Sequence, residues 1–172
     1  MTDVPTLSTA RLLLRPHRPD DLAASVALWS DPAVTRFIGG RPLTREEIWG
    51  RLLRYAGQWS WLGFGMWAVE ERSSGAVIGD VGFLHAKREM TPAHDDIPEV
   101  AWALLPSAQG KGYATEAVRG ALHWGDAQFG RARTWCMISP DNAPSLRVAA
   151  KCGYVETARA THLGAPVIVL MR

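Results

Sequence analysis

The stretch Glu99-Val-Ala-Trp-Ala-Leu-Leu-Pro-Ser-Ala-Gln109-Gly-Lys-Gly-Tyr-Ala-Thr-Glu-Ala117 decides how the chain is read. Val100 to Leu105 is an apolar run without helical spacing and is closed by Pro106, as for a buried strand. Gly110 and Gly112 then give the backbone freedom for a turn just before a helix-forming segment. Such a turn directs unpaired N–H groups and the positive end of a helix dipole at one point, and Lys111 adds a cation beside it. The expected ligand is an anion, most simply a phosphate.

Working outward, Leu12, Leu13 and Leu14 lie between Arg11 and Pro16 as a short first strand. Asp20 and Asp21 supply cap-type side chains for a helix through Leu22, Val26 and Leu28, with Pro32 expected to end it. Thr44 and Glu47 form a capping box for a second helix, in which Ile48, Leu52, Leu53 and Tyr55 follow at roughly helical spacing. The other side of that helix, with Arg45, Glu46, Arg51 and Arg54, reads as a solvated surface. Gly63 to Glu70 and Ala76 to Leu84 are two strands joined by a polar turn ending in Gly75. His85 to Asp96 is an unpatterned loop of the kind that carries specificity.

After the glycine turn, Ala117, Val118, Ala121 and Leu122 recur with helical spacing, and Gly130 follows as a C-cap residue. Thr134 to Ile138 is another strand. Asn142 caps a short helix that Gly153 ends, and strands at Tyr154 to Ala158 and Pro166 to Met171 finish the chain. This order predicts an α/β fold with helices packed on a mixed sheet, as a single domain over residues 1–172.

Composition narrows the function. With 172 residues and 47% apolar content, one core is expected. Apolar runs are too short for a membrane span and the N-terminus shows no signal-peptide core, so a soluble cytoplasmic protein is expected, as monomer or homodimer. A net charge of +2 with no dense basic run gives no sign of nucleic-acid binding. No Cys/His/Asp group has metal-ligand spacing, and the two cysteines, Cys136 and Cys152, are expected as free thiols.

The glycine turn is not a P-loop, because Leu105 stands where the first glycine belongs and Gly112 follows Lys111 in place of Ser or Thr. Nor does it fit a dinucleotide fingerprint, where Thr115 occupies the third glycine position. Gln109-Gly110-Lys111-Gly112-Tyr113-Ala114 instead resembles the Gln/Arg-x-x-Gly-x-Gly/Ala loop of the GCN5-related N-acetyltransferases. The resemblance extends through Ile78-Gly79-x-x-Gly82, Glu99-Val-Ala-Trp102, Asn142-Ala-Pro-Ser145 and Lys151-Cys-Gly-Tyr154, over the whole chain. The last two motifs are similar to those of the branch that acetylates ribosomal-protein N-termini.

This resemblance implies a mostly antiparallel mixed sheet of about seven strands, acetyl-CoA as co-substrate and a primary amine as acceptor, either a peptide N-terminus or a small molecule. Gln109, Gly110, Lys111, Gly112, Tyr113 and Ala114, with Thr115 behind them, would cradle the pyrophosphate. Ala103, Leu104 and Leu105 would meet the pantetheine arm, with the Ala103 N–H polarising the thioester carbonyl, and Asn142 would bond the cofactor. Glu99 matches a general-base position in some relatives, against the plainer reading of a polar strand-edge residue. Ala149 stands where the commoner family pattern has a tyrosine acid, and Ser145 is the replacement acid implied by the branch, against a helix-cap hydroxyl. His85 is the histidine nearest the expected cleft, while His162 and the others read as surface residues. Trp59 and Trp61 are candidates for an acceptor groove or for packing. A non-catalytic acyl-CoA-binding module and a nucleotide-binding protein are the alternatives.

Overall fold

A computed structural model describes residues 4–130 and 133–172. The apolar runs form strands β1 (Leu7–Ser8), β2 (Leu12–Arg15), β3 (Met66–Glu71), β4 (Val77–Leu84), β5 (Glu99–Leu104), β6 (Trp135–Ile138), β7 (Val155–His162) and β8 (Ala165–Met171). They make one eight-stranded sheet in the order β1-β2-β3-β4-β5-β6-β8-β7. Every pairing is antiparallel except β5 with β6. The mixed, mostly antiparallel sheet is thus the expected one, with one strand more than anticipated: β1 is two residues long, too short for any pattern to announce.

Helices α1 (Leu22–Trp29), α2 (Pro32–Thr35), α3 (Arg45–Leu62), α4 (Tyr113–Gln128) and α5 (Ala143–Lys151) flank the sheet. The Thr44–Glu47 capping box starts α3: Thr44 Oγ1 accepts from the Glu47 N–H at 3.2 Å and Glu47 returns the bond to the Thr44 N–H at 2.8 Å. Ile48, Leu52 and Tyr55, about one, two and three turns on, are buried. Truncating Ile48 to Ala would cost about 2–5 kcal/mol, because its neighbours close over it from several elements.

Two expectations near α1 need correction. Asp21 does not cap the helix with its side chain. Its carboxylate instead takes two hydrogen bonds from Arg15, both at 2.8 Å, and one from the Arg18 N–H at 2.7 Å in the turn that leads into the helix. Pro32 does not merely end a helix but opens α2, where Asp31 is the cap and the missing proline N–H is harmless.

Alternation along β4 and β5 sorts the two faces. Val81, Phe83 and Leu104 join the core cluster that includes Val118 and Ala121 of α4. Ala103 packs on the opposite face with Trp29 of α1 and Ile48 of α3. Helix α4 is the crossover that a parallel β5–β6 pair requires. That pair is held by a single bridge, Glu99 to Trp135, together with Trp135 N–H to Pro98 O at 3.1 Å. Beyond it the two strands run on without pairing, and a slit opens between them.

Candidate active site

The glycine turn stands at the end of that slit. Gly110 has φ +74° and Gly112 φ +81°, the left-handed region where a Cβ is strained. Gly112 is the N-cap of α4, and the first helical bond runs from Glu116 N–H to Gly112 O at 3.1 Å. The N–H groups of Tyr113, Ala114 and Thr115 therefore have no acceptor within the helix, and a glycine cap has no side chain to supply one. Exposed Lys111 stands beside them. The loop has the makings of an anion cradle.

Its shape is held by residues that no motif pointed to. Arg11 donates to Lys111 O at 2.9 Å and to Glu116 at 2.7 Å, and its guanidinium lies 4.4 Å from the Tyr113 ring centroid. Glu116 also accepts from Thr9 Oγ1 at 2.6 Å. Tyr113 donates its hydroxyl to Glu71 at 2.5 Å, and that bond pushes the phenol pKa up. Gln109 Nε2 donates to Leu104 O at 3.1 Å, tying the turn to the end of β5.

The pairing of β4 with β5 corrects the expected oxyanion donor. The Leu105 N–H donates to Ile78 O at 2.9 Å. The Ala103 carbonyl lies so close to Gly79 that a Cβ there would sit 2.2 Å from it. Alternation in an antiparallel ladder then turns the polar groups of Ala103 toward β4, and those of Trp102 and Leu104 toward the slit. The Ala103 N–H is engaged by the sheet; Trp102 and Leu104 carry the backbone groups that face β6.

At the far end of the slit, Glu99 is 4% exposed and is gripped by Arg88 of the His85–Asp96 loop, with Nε to Oε2 at 2.6 Å and Nη2 to Oε1 at 2.9 Å. The third arm of Arg88 reaches His162 Nε2 of β7 at 3.3 Å. Burial, then the Arg88 charge, push the His162 imidazole pKa down, with Glu99 pulling the other way. Arg88 and His162 were not legible as site residues, being 11 and 63 positions from Glu99 with no motif to link them. His85 is tied to the Asp95 carbonyl within the same loop.

On the β6 side, Asn142 Oδ1 accepts from the Ser145 N–H at 3.2 Å, so the helix cap is real. The reciprocal bond is not made: Asn142 N–H goes to Ser139 O at 2.9 Å, and the half-buried Ser145 hydroxyl is not drawn into a capping box. Ala149 lies fully buried in the core. Trp59 is core, donating its indole N–H to Met66 O at 3.0 Å, and also lines a cavity with Trp49, Leu52 and Tyr55, while Trp61 is 89% exposed. Cys136 and Cys152 are free and buried, and burial pushes both thiol pKa values up. Among the described residues there is no metal-binding cluster, and no helix is long and apolar enough to cross a membrane.

Residues 11–155 match the model of the acetyltransferase (GNAT) domain. The chain is 26% identical over 151 residues to the uncharacterized N-acetyltransferase YoaA of Bacillus subtilis, spanning 87% of this chain and 82% of that one. An acetyltransferase from Agrobacterium tumefaciens has a similar structure, with a TM-score of 0.85, 26% identity and coverage of 99% and 95%. The ribosomal-protein-S5-alanine acetyltransferase of Vibrio fischeri shares the fold, with a TM-score of 0.71 at 20% identity and coverage of 98% and 96%.

Proposed function

Because the chain belongs to the GNAT acetyltransferase family and is thus an N-acetyltransferase, a kind of acyltransferase, we propose that it moves an acetyl group from acetyl-CoA to a primary amine of low pKa by direct attack in a ternary complex. The observation that carries this reading is the glycine-capped start of α4 at the end of the β5–β6 slit. Gln109 to Thr115 would hold the pyrophosphate through backbone N–H groups, and Lys111 would add charge. Leu104 and Leu105 would line the pantetheine arm, and Trp102 or Leu104 would offer the N–H that stabilises the developing oxyanion. Asn142 would fix the arm from the β6 side.

Bond formation between the acceptor nitrogen and the acetyl carbon is matched by cleavage of the carbon–sulfur bond. The departing thiolate takes a proton, for which Ser145 is the proposed donor, and the proton that the attacking nitrogen sheds passes to solvent, from which the Ser145 hydroxyl is restored. A thiol with a pKa of about 8.5 leaves readily, so a weak acid suffices. The amine must arrive neutral, and Glu99 is poorly placed to deprotonate it while both its oxygens face Arg88. A peptide α-amine, near about 7.7–8.0, needs roughly 3.5 kcal/mol less for deprotonation than a lysine side chain near about 10.4. The acceptor we favour is accordingly a peptide N-terminus or a small amine of similar pKa. The Asn142-to-Ser145 and Lys151-to-Tyr154 motifs support a place in the ribosomal-protein branch.

Thiol release from acetyl-CoA, measured with a lysine-free peptide bearing a free N-terminus and with a blocked peptide bearing one lysine, tests this. Faster turnover of the free N-terminus is expected. A preference for the lysine peptide would refute the acceptor assignment, and acetyl-CoA binding without transfer to any amine would favour a non-catalytic module.

A further inference from the structure

The face of β5 that carries Glu99, Ala101 and Ala103 is covered by α3, whose Leu52 and Tyr55 pack beside Ala101. On the same helix, Arg51 lies one turn before Tyr55 and Arg54 directly before it. Arg51 donates from Nη1 to the Tyr55 hydroxyl at 3.1 Å, and its guanidinium lies over Trp29 at 3.9 Å from the ring centroid. Its Nε is buried and has no hydrogen-bond partner. A buried, unpaired charged donor is costly, and a native site that keeps one commonly offers it to a ligand.

Arg54 is the second member. Among the described residues, no carboxylate lies within salt-bridge distance of it. It follows Arg51 by three residues, on the same side of α3, and partial burial, then the charges of Arg51 and Arg88, push its pKa down. The neighbouring carboxylates are already engaged: Glu99 by Arg88, and Asp80 by His17 at 2.9 Å and Trp29 at 2.7 Å. Arg51 and Arg54 therefore form a pair of cations without a carboxylate partner among the described residues, on the helix that packs beside Ala101 and, through Trp29, beside Ala103 of β5.

We infer that the acceptor amine carries a carboxylate, which Arg51 and Arg54 of α3 bind while the amine meets the thioester. This rests on the acetyltransferase reading above and adds the chemical class of the acceptor. Planar guanidinium forks suit a carboxylate, and a charge-assisted bond to a desolvated donor is among the stronger polar contacts available. Two sources supply this chemistry: an acidic residue close to a peptide N-terminus, and a small amino-acid-like amine.

Two matched pairs of acceptors separate them. One is a peptide beginning Ser-Glu-Glu against one beginning Ser-Gln-Gln; the other is isoglutamine against glutamine amide, which differ in a single carboxylate. The acidic member of at least one pair should be used with kcat/KM higher by about 10- to 100-fold, mainly through KM. The pair that shows the ratio identifies the source. Arg54→Gln should bring the ratio toward unity and Arg54→Glu should invert it, and raising the ionic strength should lower it in the native protein. Comparable kcat/KM within both pairs, or a ratio that survives Arg54→Glu, overturns the inference and leaves the acetyltransferase reading intact. Failure to transfer acetyl to any of the four overturns both.

Discussion

Arg88 holds both carboxylate oxygens of Glu99, at 2.6 and 2.9 Å, and the pair is 22% and 6% exposed at its side chains. A fork of this kind occupies the lone pairs that a general base would use. Glu99→Gln should consequently lower turnover by less than about 10-fold. Arg88→Met, by contrast, strands a buried carboxylate and should lower stability by about 1–3 kcal/mol, less than a fully enclosed pair because Arg88 is partly exposed. Combining the two changes should restore most of that loss, a coupling that denaturant melts of the four proteins would measure. A fall above about 100-fold in Glu99→Gln, with loss of the acidic limb of the kcat/KM profile, would establish Glu99 as the base.

Gly112→Val should abolish coenzyme A binding. The residue sits at φ +81°, which a β-branched side chain does not tolerate, and its backbone lies where the phosphate is expected. Calorimetric titration with acetyl-CoA decides the matter. Affinity equal to that of the unaltered protein would end the phosphate-loop assignment.

For Ser145→Ala the expected fall in kcat is about 10- to 100-fold, with a smaller change in KM for acetyl-CoA. The Asn142 cap uses the Ser145 N–H, which alanine keeps, so α5 should remain folded. An unchanged kcat would assign the hydroxyl to the surface of the helix.

The Arg15–Asp21 pair predicts a pH dependence of stability. Burial alone would push the Asp21 pKa up, but bonds from Arg15 and the Arg18 N–H outweigh it and hold the carboxyl below its ordinary value. A depressed folded pKa gives stability that is fully present above the unfolded value, about 3.9, and is lost as pH falls through the lower folded value. The stability gap between the native protein and Asp21→Asn should therefore be widest near neutrality and shrink below about pH 4. Denaturant melts between pH 6 and pH 3 would show it, and a gap that does not change with pH would count against the pair.

The strand, glycine turn and helix start were legible because each is a local pattern: a proline stop, two glycines and a 3.6-residue period. So were the Thr44 and Asn142 caps, whose partners lie three residues away. What escaped depended on contacts distant in sequence. Arg51 sits on the helix side that reads as solvated, yet Trp29 of another helix takes its guanidinium. The direction of the Ala103 N–H is set by register with β4, which the side-chain pattern of β5 does not encode. His162 reads as an ordinary surface histidine until β7 folds back toward Arg88.

The single bridge between Glu99 and Trp135 makes the slit a gap in an otherwise continuous sheet. An extended molecule bonded to Trp102 and Leu104 would act there as an inserted strand and join the two halves of the sheet. Its binding energy is then also folding energy: at a concentration of 100 times Kd, native stability would rise by about 2.7 kcal/mol. The gain would be felt first as slowed hydrogen exchange of the Trp102 and Leu104 amides, which makes the two halves of this sheet a thermodynamic reporter of their own ligand.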